Sequence, residues 1–333
     1  MKIIPKLTLS VALTCLFCSS TINAADLNRG LQCINEGNFG CALDELRPLA
    51  DQGDARALYN LGVLYENGRG VEGSNAEAVR MYQRAANQGY ASAQNNLAVM
   101  YENGREYALA AKLYQLAANQ ANARAQFNLA VLYDNGQGVV QNYTKAAQLY
   151  QLAADQGNAR AQNNLGWLYY NGRGVKKNYA EAARLYQLAA DQGYARSQYI
   201  LGEMYHFGRG VEKNYAEAAR LYQLAVEQGN AGAQNNLGVL YEKGEGIEKN
   251  NEEAIRLYQL AADQGYADAQ YNLGSIYFYD FVLESTLRLL LNRESEYIYE
   301  APKNYGLNKE ISEQVARAKN EFFQARRSQE LAH

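Results

Sequence analysis

Residues Ala159–Tyr194 read ARAQNNLGWLYYNGRGVKKNYAEAARLYQLAADQGY. The same pattern restarts at Ala55, Ala91, Ala123, Ala159, Ala195, Ala231 and Ala267, in steps of 36, 32, 36, 36, 36 and 36 residues. Six units therefore fill 55–266, a half unit occupies 25–54, and a divergent partial unit runs from 267 to 333. A period of this length is the sign of a solenoid, in which each unit packs mainly on its neighbours.

Each unit encodes two helices. The first carries Ala161, Leu165, Leu168 and Tyr169 on one face, at the spacing of a helix with a buried stripe. Gly172 suits the left-handed cap that ends it. Asn178 then reads as an N-cap with Glu181 three residues on, a capping box repeated at Asn214/Glu217 and Asn250/Glu253 and respelled at Ser74/Glu77. The second helix carries Ala182, Leu185, Tyr186 and Ala189 and ends at Gly193. Gly62, Ala98, Ala130, Gly166, Gly202, Gly238 and Gly274 share one small position, and Ala78, Ala146, Ala182, Ala218 and Ala254 are its expected facing partners. Thirteen of the 28 tyrosines fall at two repeating positions, the series through Tyr169 and the series through Tyr186, and read as core.

The Leu-Gly-x-x-Tyr core of the first helix resembles tetratricopeptide repeats. The Gly-x-Gly-Val loop, the 36-residue step and the Ala-Ala-x-Gln-Gly ending resemble Sel-1-like repeats. The resemblance implies an all-α fold, a right-handed αα solenoid, and a role as an interaction scaffold. Secreted bacterial members of the family resemble factors acting at the envelope or on host cells. Two stretches depart from the pattern. The unit 91–122 lacks four loop residues, and the segment beyond Asp280 leaves the repeat.

Composition narrows the function. Lys and Arg total 32 against 35 Asp and Glu, a net charge of -3, which argues against bulk binding to nucleic acid or an anionic membrane. Met1–Ala24 has the grammar of a secretory signal: Lys2 and Lys6, an apolar run over Leu7–Phe17, and a cleavage site before Ala25. No later stretch has 18 apolar residues in a row, so no membrane span is expected. Of four cysteines, Cys15 and Cys18 would leave with the signal. Cys33 and Cys41, four residues either side of Gly37, are expected to form a disulfide in an oxidising compartment. The expected location is the periplasm or the outside of the cell.

Chemical motifs are scarce. Gly68-Arg69-Gly70-Val71-Glu72-Gly73 matches a dinucleotide fingerprint, but a helix precedes it where a strand is required. The chain has two histidines and no His-Glu-x-x-His, Ser-x-x-Lys or four-ligand Cys/His pattern, so no metal, cofactor or catalytic residue is expected. Asn142-Tyr143-Thr144 is a formal glycosylation sequon.

The repeats disagree at informative places. Unit positions 2, 5, 9 and 12 share one face of the first helix, the face that lines the groove in tetratricopeptide-type solenoids. Position 9 reads Val63, Val99, Val131, Trp167, Glu203, Val239, Ser275; position 12 reads Glu66, Glu102, Asp134, Tyr170, His206, Glu242, Phe278. The fourth and fifth units break both series. Trp167, Tyr170, Tyr199, Glu203, His206 and Phe207 are thus the candidate partner-binding residues, since aromatics beside an acid are typical of a binding hot spot. Neutral drift among repeats is the competing account. The tail holds a leucine-rich run at Phe281–Arg293, a candidate for self-association, and an amphipathic stripe at Ile311–Ala325 that reads as a capping helix. The expected function is an exported protein–protein interaction scaffold or adaptor. The alternative is an envelope enzyme acting on peptidoglycan or a β-lactam, because some secreted relatives carry such assignments.

Overall fold

The computed structural model describes the backbone of residues 25–290 and the side chains up to residue 278. Among these residues there are fifteen α-helices and no strand. In chain order α1–α15 run over Leu27–Asn35, Phe39–Asp51, Ala55–Asn67, Asn75–Asn87, Ala91–Asn103, Tyr107–Asn119, Ala123–Asn135, Tyr143–Asp155, Ala159–Asn171, Tyr179–Asp191, Ala195–Phe207, Tyr215–Val226, Ala231–Lys243, Asn251–Asp263 and Ala267–Leu290. The fold is an all-α repeat solenoid. Two compact units divide it, one ending at Leu97 and the other starting at Ala98. The expected signal at 1–24 and the expected capping helix lie outside the described residues, as do the side chains of the leucine-rich run.

In the first unit, residues 25–54 carry a helix pair, α1 and α2. Gly37 turns between them at φ +73°. Cys33 and Cys41 are disulfide-bonded across this turn, with Cα atoms 5.8 Å apart. The α3–α4 pair follows. Its loop glycine Gly70 is left-handed, and a Cβ there would lie 2.6 Å from Phe39 Cβ. The glycines of the dinucleotide-like motif therefore end a helix and let a loop approach the preceding helix closely.

The second unit repeats that device. Added Cβ atoms at Gly138, Gly174, Gly210 and Gly246 would stand within 2.4 Å of backbone atoms of Tyr107, Tyr143, Tyr179 and Tyr215, the first residues of the preceding second helices. First helices end on left-handed Gly136, Gly172, Gly208 and Gly244. The last one, α15, has Asp280 at the equivalent place and runs on to Leu290. In the shortened unit, Arg105 makes the turn at φ +63°, and Glu106 at the N-cap of α6 makes no capping bond.

The second helices start as expected, but only half of each capping box forms. Asn178 Oδ1 accepts from the Glu181 N–H at 3.1 Å, a cap worth about 1 kcal/mol. The reciprocal bond is absent because the Asn178 N–H already donates to the Tyr169 carbonyl at 2.9 Å. Glu181 turns instead to Arg184, and Glu217/Arg220 and Glu253/Arg256 do the same. Asn142, the sequon residue, is likewise spent on capping α8.

The small position also has a different partner from the one expected. Added Cβ atoms on Gly62, Gly166, Gly202 and Gly238 would meet the rings of Tyr82, Tyr186, Tyr222 and Tyr258 at 2.6–3.1 Å. The small residue thus makes room mainly for a tyrosine ring, with the alanine backbone beside it at Ala218 and Ala254. Buried leucines such as Leu165 and Leu168 pack with the equivalent ring of Tyr150, each stabilising by about 1.5–3 kcal/mol. A glutamine chain joins the pairs. Buried Gln162 donates to the Ala154 carbonyl of the previous pair and accepts from Gln192 of its own. Gln126/Gln156, Gln198/Gln228 and Gln234/Gln264 repeat the second of these bonds.

Candidate functional site

Each second helix from α4 to α14 buries one tyrosine: Tyr82, Tyr114, Tyr150, Tyr186, Tyr222 and Tyr258. A buried hydroxyl needs partners, and the repeat supplies them from two fixed places. Tyr82 Oη donates to Glu66 at 2.6 Å and accepts from Asn96 Nδ2 at 3.3 Å. Tyr150 Oη donates to Asp134 at 3.3 Å and accepts from Asn164 at 3.0 Å. Tyr114 donates to Glu102 at 2.6 Å, and Tyr258 to Glu242 at 2.7 Å. The acid is position 12 of the same repeat, and the amide is position 6 of the next. Burial, reinforced by the acid, pushes these hydroxyls above the ordinary tyrosine range. The series of acids that sequence comparison singles out is therefore a structural latch.

The latch fails in the fourth repeat and is rebuilt in the fifth. At Tyr186 the acid is replaced by Tyr170 and the amide by Ile200. The Tyr186 hydroxyl has no hydrogen-bond partner among the described residues, and its electrostatic neighbours are Arg196, then Tyr170 and Glu203. At Tyr222 the amide Asn236 remains, 3.4 Å away, and His206 Nδ1 faces the hydroxyl at 3.4 Å in place of the acid. Burial lowers the His206 pKa below the ordinary histidine value, against the charge of Glu245.

Five of the six expected groove residues join one network. The His206 ring stacks on Phe207 at 4.5 Å between centroids and meets Tyr215 edge-on at 5.3 Å. Phe207 is 54% exposed, a large apolar surface left in water beside polar groups. Arg209 lies over its ring at 5.2 Å and donates to the Tyr170 hydroxyl. Tyr170 meets Tyr179 edge-on at 4.9 Å. Glu203 is half-buried, with Tyr199 and Asn236 beside it. Burial raises its pKa, opposed by these polar neighbours and by the Arg209 charge. Tyr199 also neighbours Tyr266, and its ring covers Gly232, where a Cβ would stand 2.9 Å away.

Trp167 is placed differently. It shares a helix face with Tyr170, but its ring packs on the core between the third and fourth repeats. Arg173 of its own loop lies over it at 4.7 Å and over Tyr143 at 5.5 Å.

Arg209 and Asn236 join this network and were not among the expected residues, while Arg173 sits with Trp167 and Tyr143. Their signal was available in part: the loop residue is Arg173 and Arg209 here but Gln137 and Glu245 in the flanking repeats. What the arrangement offers is a hydrogen-bonding and ring-stacking surface. No cluster of three or more potential metal ligands and no helix long and apolar enough to cross a membrane occurs among the described residues.

Comparison with known proteins follows the repeat closely. The Sel1 repeat model matches residues 55–90, 91–122, 123–158, 159–194, 195–230, 231–266 and 267–282. A protective antigen of uropathogenic Escherichia coli strains, described as displaying an SLR fold, is 35% identical with a TM-score of 0.69. The match covers 76% of this chain and 59% of the antigen, so this chain spans a little over half the antigen's length. A Sel1 repeat protein from Oxalobacter formigenes is 32% identical with a TM-score of 0.65, over 72% of this chain and 97% of that one. No curated protein matches the chain.

Proposed function

This chain belongs to the Sel1 repeat family, and we propose that it is an adaptor that binds a protein partner on the α9 and α11 face of its fourth and fifth repeats. Sel1 repeat proteins are generally protein–protein interaction scaffolds and typically not enzymes. The observation that carries the placement is the change of bonding at these two repeats. A latch that serves the fold elsewhere gives way to Tyr170, Arg209, Phe207 and His206, with an exposed aromatic ring at the centre. Rings flanked by arginine are the groups that dominate interface energies.

The adaptor acts outside the cytoplasm in this reading. The support is the signal grammar of Met1–Ala24 and the position of Cys33 against Cys41. N-terminal sequencing of the natural protein should begin at Ala25; a start at Met1 removes the export argument. The binding face is tested by a photo-crosslinking residue at position 207 in intact cells of the source organism. A control goes at Val140, a loop residue that is 89% exposed. Position 207 should give a discrete crosslinked species that position 140 does not. Equal labelling from both positions would defeat the placement. The enzyme alternative gains no support from the family or its solved structures.

A further inference from the structure

One loop joins the two helices of each repeat, and in the fourth and fifth repeats that loop differs in charge from the others. Gly172–Asn178 carries Arg173, Lys176 and Lys177 and no acid, and Gly208–Asn214 carries Arg209 and Lys213 against Glu212. In the first two repeats one arginine is matched by one acid, Arg69 by Glu72 and Arg105 by Glu106. The third loop is uncharged, and in the sixth Glu245 and Glu248 outweigh Lys249. The surplus of positive loop charge thus falls on two consecutive repeats of a chain whose net charge is -3.

These cations are held in place by rings. Arg173 lies over Trp167 at 4.7 Å and over Tyr143 at 5.5 Å, and its Nη1 donates to the Tyr143 hydroxyl at 3.4 Å. Arg209 lies over Phe207 at 5.2 Å and donates to the Tyr170 hydroxyl. Lys177 sits over Tyr179 at 4.7 Å and Lys213 over Tyr215 at 4.4 Å. All four side chains are exposed. A guanidinium anchored over a ring is restrained before it binds, and its other N–H donors can meet a carboxylate in a two-bond fork. None of the ion pairs among the described residues includes Arg173 or Arg209. The acids whose charge reaches them, Asp134 and Glu203, are half-buried, and Asp134 already accepts from Tyr150.

We propose that the loops at the C-terminal ends of α9 and α11 bind an extended acidic segment of the partner protein, with one carboxylate received by Arg173 and another by Arg209 beside the exposed Phe207 ring. This rests on the partner-binding reading above and names the chemistry of that partner. Anchored arginines on successive repeats suit a chain with several carboxylates rather than one small anion, and the surplus of positive charge speeds its approach.

The full chain is titrated, by anisotropy, with three labelled peptides of equal length: one of Asp, Glu and Gly, one with Asn and Gln in place of the acids, and one with Lys. A labelled single-stranded oligonucleotide is the fourth ligand, since rings beside arginines also suit stacked bases. The acidic peptide should bind saturably and more weakly at high salt, and the amide peptide should need about tenfold more. The acidic peptide should also change the emission of Trp167, the only tryptophan, because Arg173 lies on its ring. Arg173→Gln and Arg209→Gln should each weaken the acidic peptide about fivefold and leave the unfolding midpoint in place. Arg69→Gln, at the same loop position in the first repeat, should bind as the natural chain does. Equal binding of acidic and amide peptides, preference for the Lys peptide or the oligonucleotide, unchanged Trp167 emission, or an Arg69→Gln loss as large as that of Arg173→Gln would each overturn the assignment. The two readings fail separately. If position 207 captures a partner and capture survives Arg173→Gln with Arg209→Gln, the binding face stands and the acidic segment is wrong. If the acidic peptide binds as described while position 207 captures nothing, the arginine site stands and the protein partner is wrong.

Discussion

Tyr150 and Tyr186 occupy the same place in successive repeats, and both rings lie fully inside the fold. The first hydroxyl is held by Asp134 and Asn164; the second is held by neither equivalent, because those positions are Tyr170 and Ile200. The ring therefore belongs to the fold and the hydroxyl's partners do not have to. A solenoid tolerates such a loss because each junction contributes nearly on its own, so one weakened junction does not dissolve the others. The same independence lets a binding site arise in one repeat while its neighbours stay regular.

The comparison can be broken first at the level of packing. Leu165 is buried and Trp167, two residues on, is half-buried. Leu165→Ala should cost about 3 kcal/mol in urea unfolding, from lost burial and the cavity left behind. Trp167→Ala should cost about 1 kcal/mol, because part of its ring already faces water. Equal losses would mean that the whole Trp167 ring, and not only its core-facing side, carries the fold.

The hydroxyls give the next effect. Tyr150→Phe leaves Asp134 and Asn164 without their shared partner and should cost about 2 kcal/mol, while Tyr186→Phe should change stability by less than about 0.5 kcal/mol. A comparable cost at both would mean that the Tyr186 hydroxyl is satisfied after all. Rebuilding the latch sharpens the contrast. Tyr170→Glu together with Ile200→Asn should raise stability by about 1 kcal/mol and weaken crosslinking from position 207. A stabilised double variant that still captures its partner fully would separate the missing latch from binding.

The smallest effect is in pH. Burial holds the Glu203 carboxyl above the ordinary glutamate range, so the folded chain binds that proton more readily than the unfolded one. The stabilisation from this group is complete when both states are protonated and is lost as pH rises through the raised value. Glu203→Gln, which keeps an oxygen and an amide for Tyr199 and Asn236, should therefore be slightly more stable than the natural chain at neutral pH. The difference should vanish in acid, below the ordinary glutamate range. An advantage that is the same at all pH values would assign it to packing rather than to charge.

Much of the fold was legible because its rules are local. Gly172 ends α9 in the left-handed region and Asn178 caps α10, as their residue types demand. The misreadings concern groups whose partners come from elsewhere in the chain. Glu181 does not complete its capping box, because the N–H it would need is already bonded to Tyr169. Gly166 faces a tyrosine ring more than an alanine, because the ring from α10 leans across the helix pair. At the site, the departures at Tyr170, Glu203 and His206 were visible by aligning the repeats. That Arg209 would reach Tyr170, thirty-nine residues back, was not, because loop length and helix-pair geometry together set that meeting.

From the sequence alone came the repeat period, the helix starts and stops, the stripe of residues that must be buried, and the two repeats that differ. Those follow from propensity, capping and burial within one unit, which a short window of residues decides. Which hydroxyl found a carboxylate, which found histidine and which found nothing was decided only when neighbouring repeats packed. A hydrogen bond depends on distances of a few tenths of an ångström between groups from different helices, and no single repeat contains both of the partners that a latch tyrosine requires.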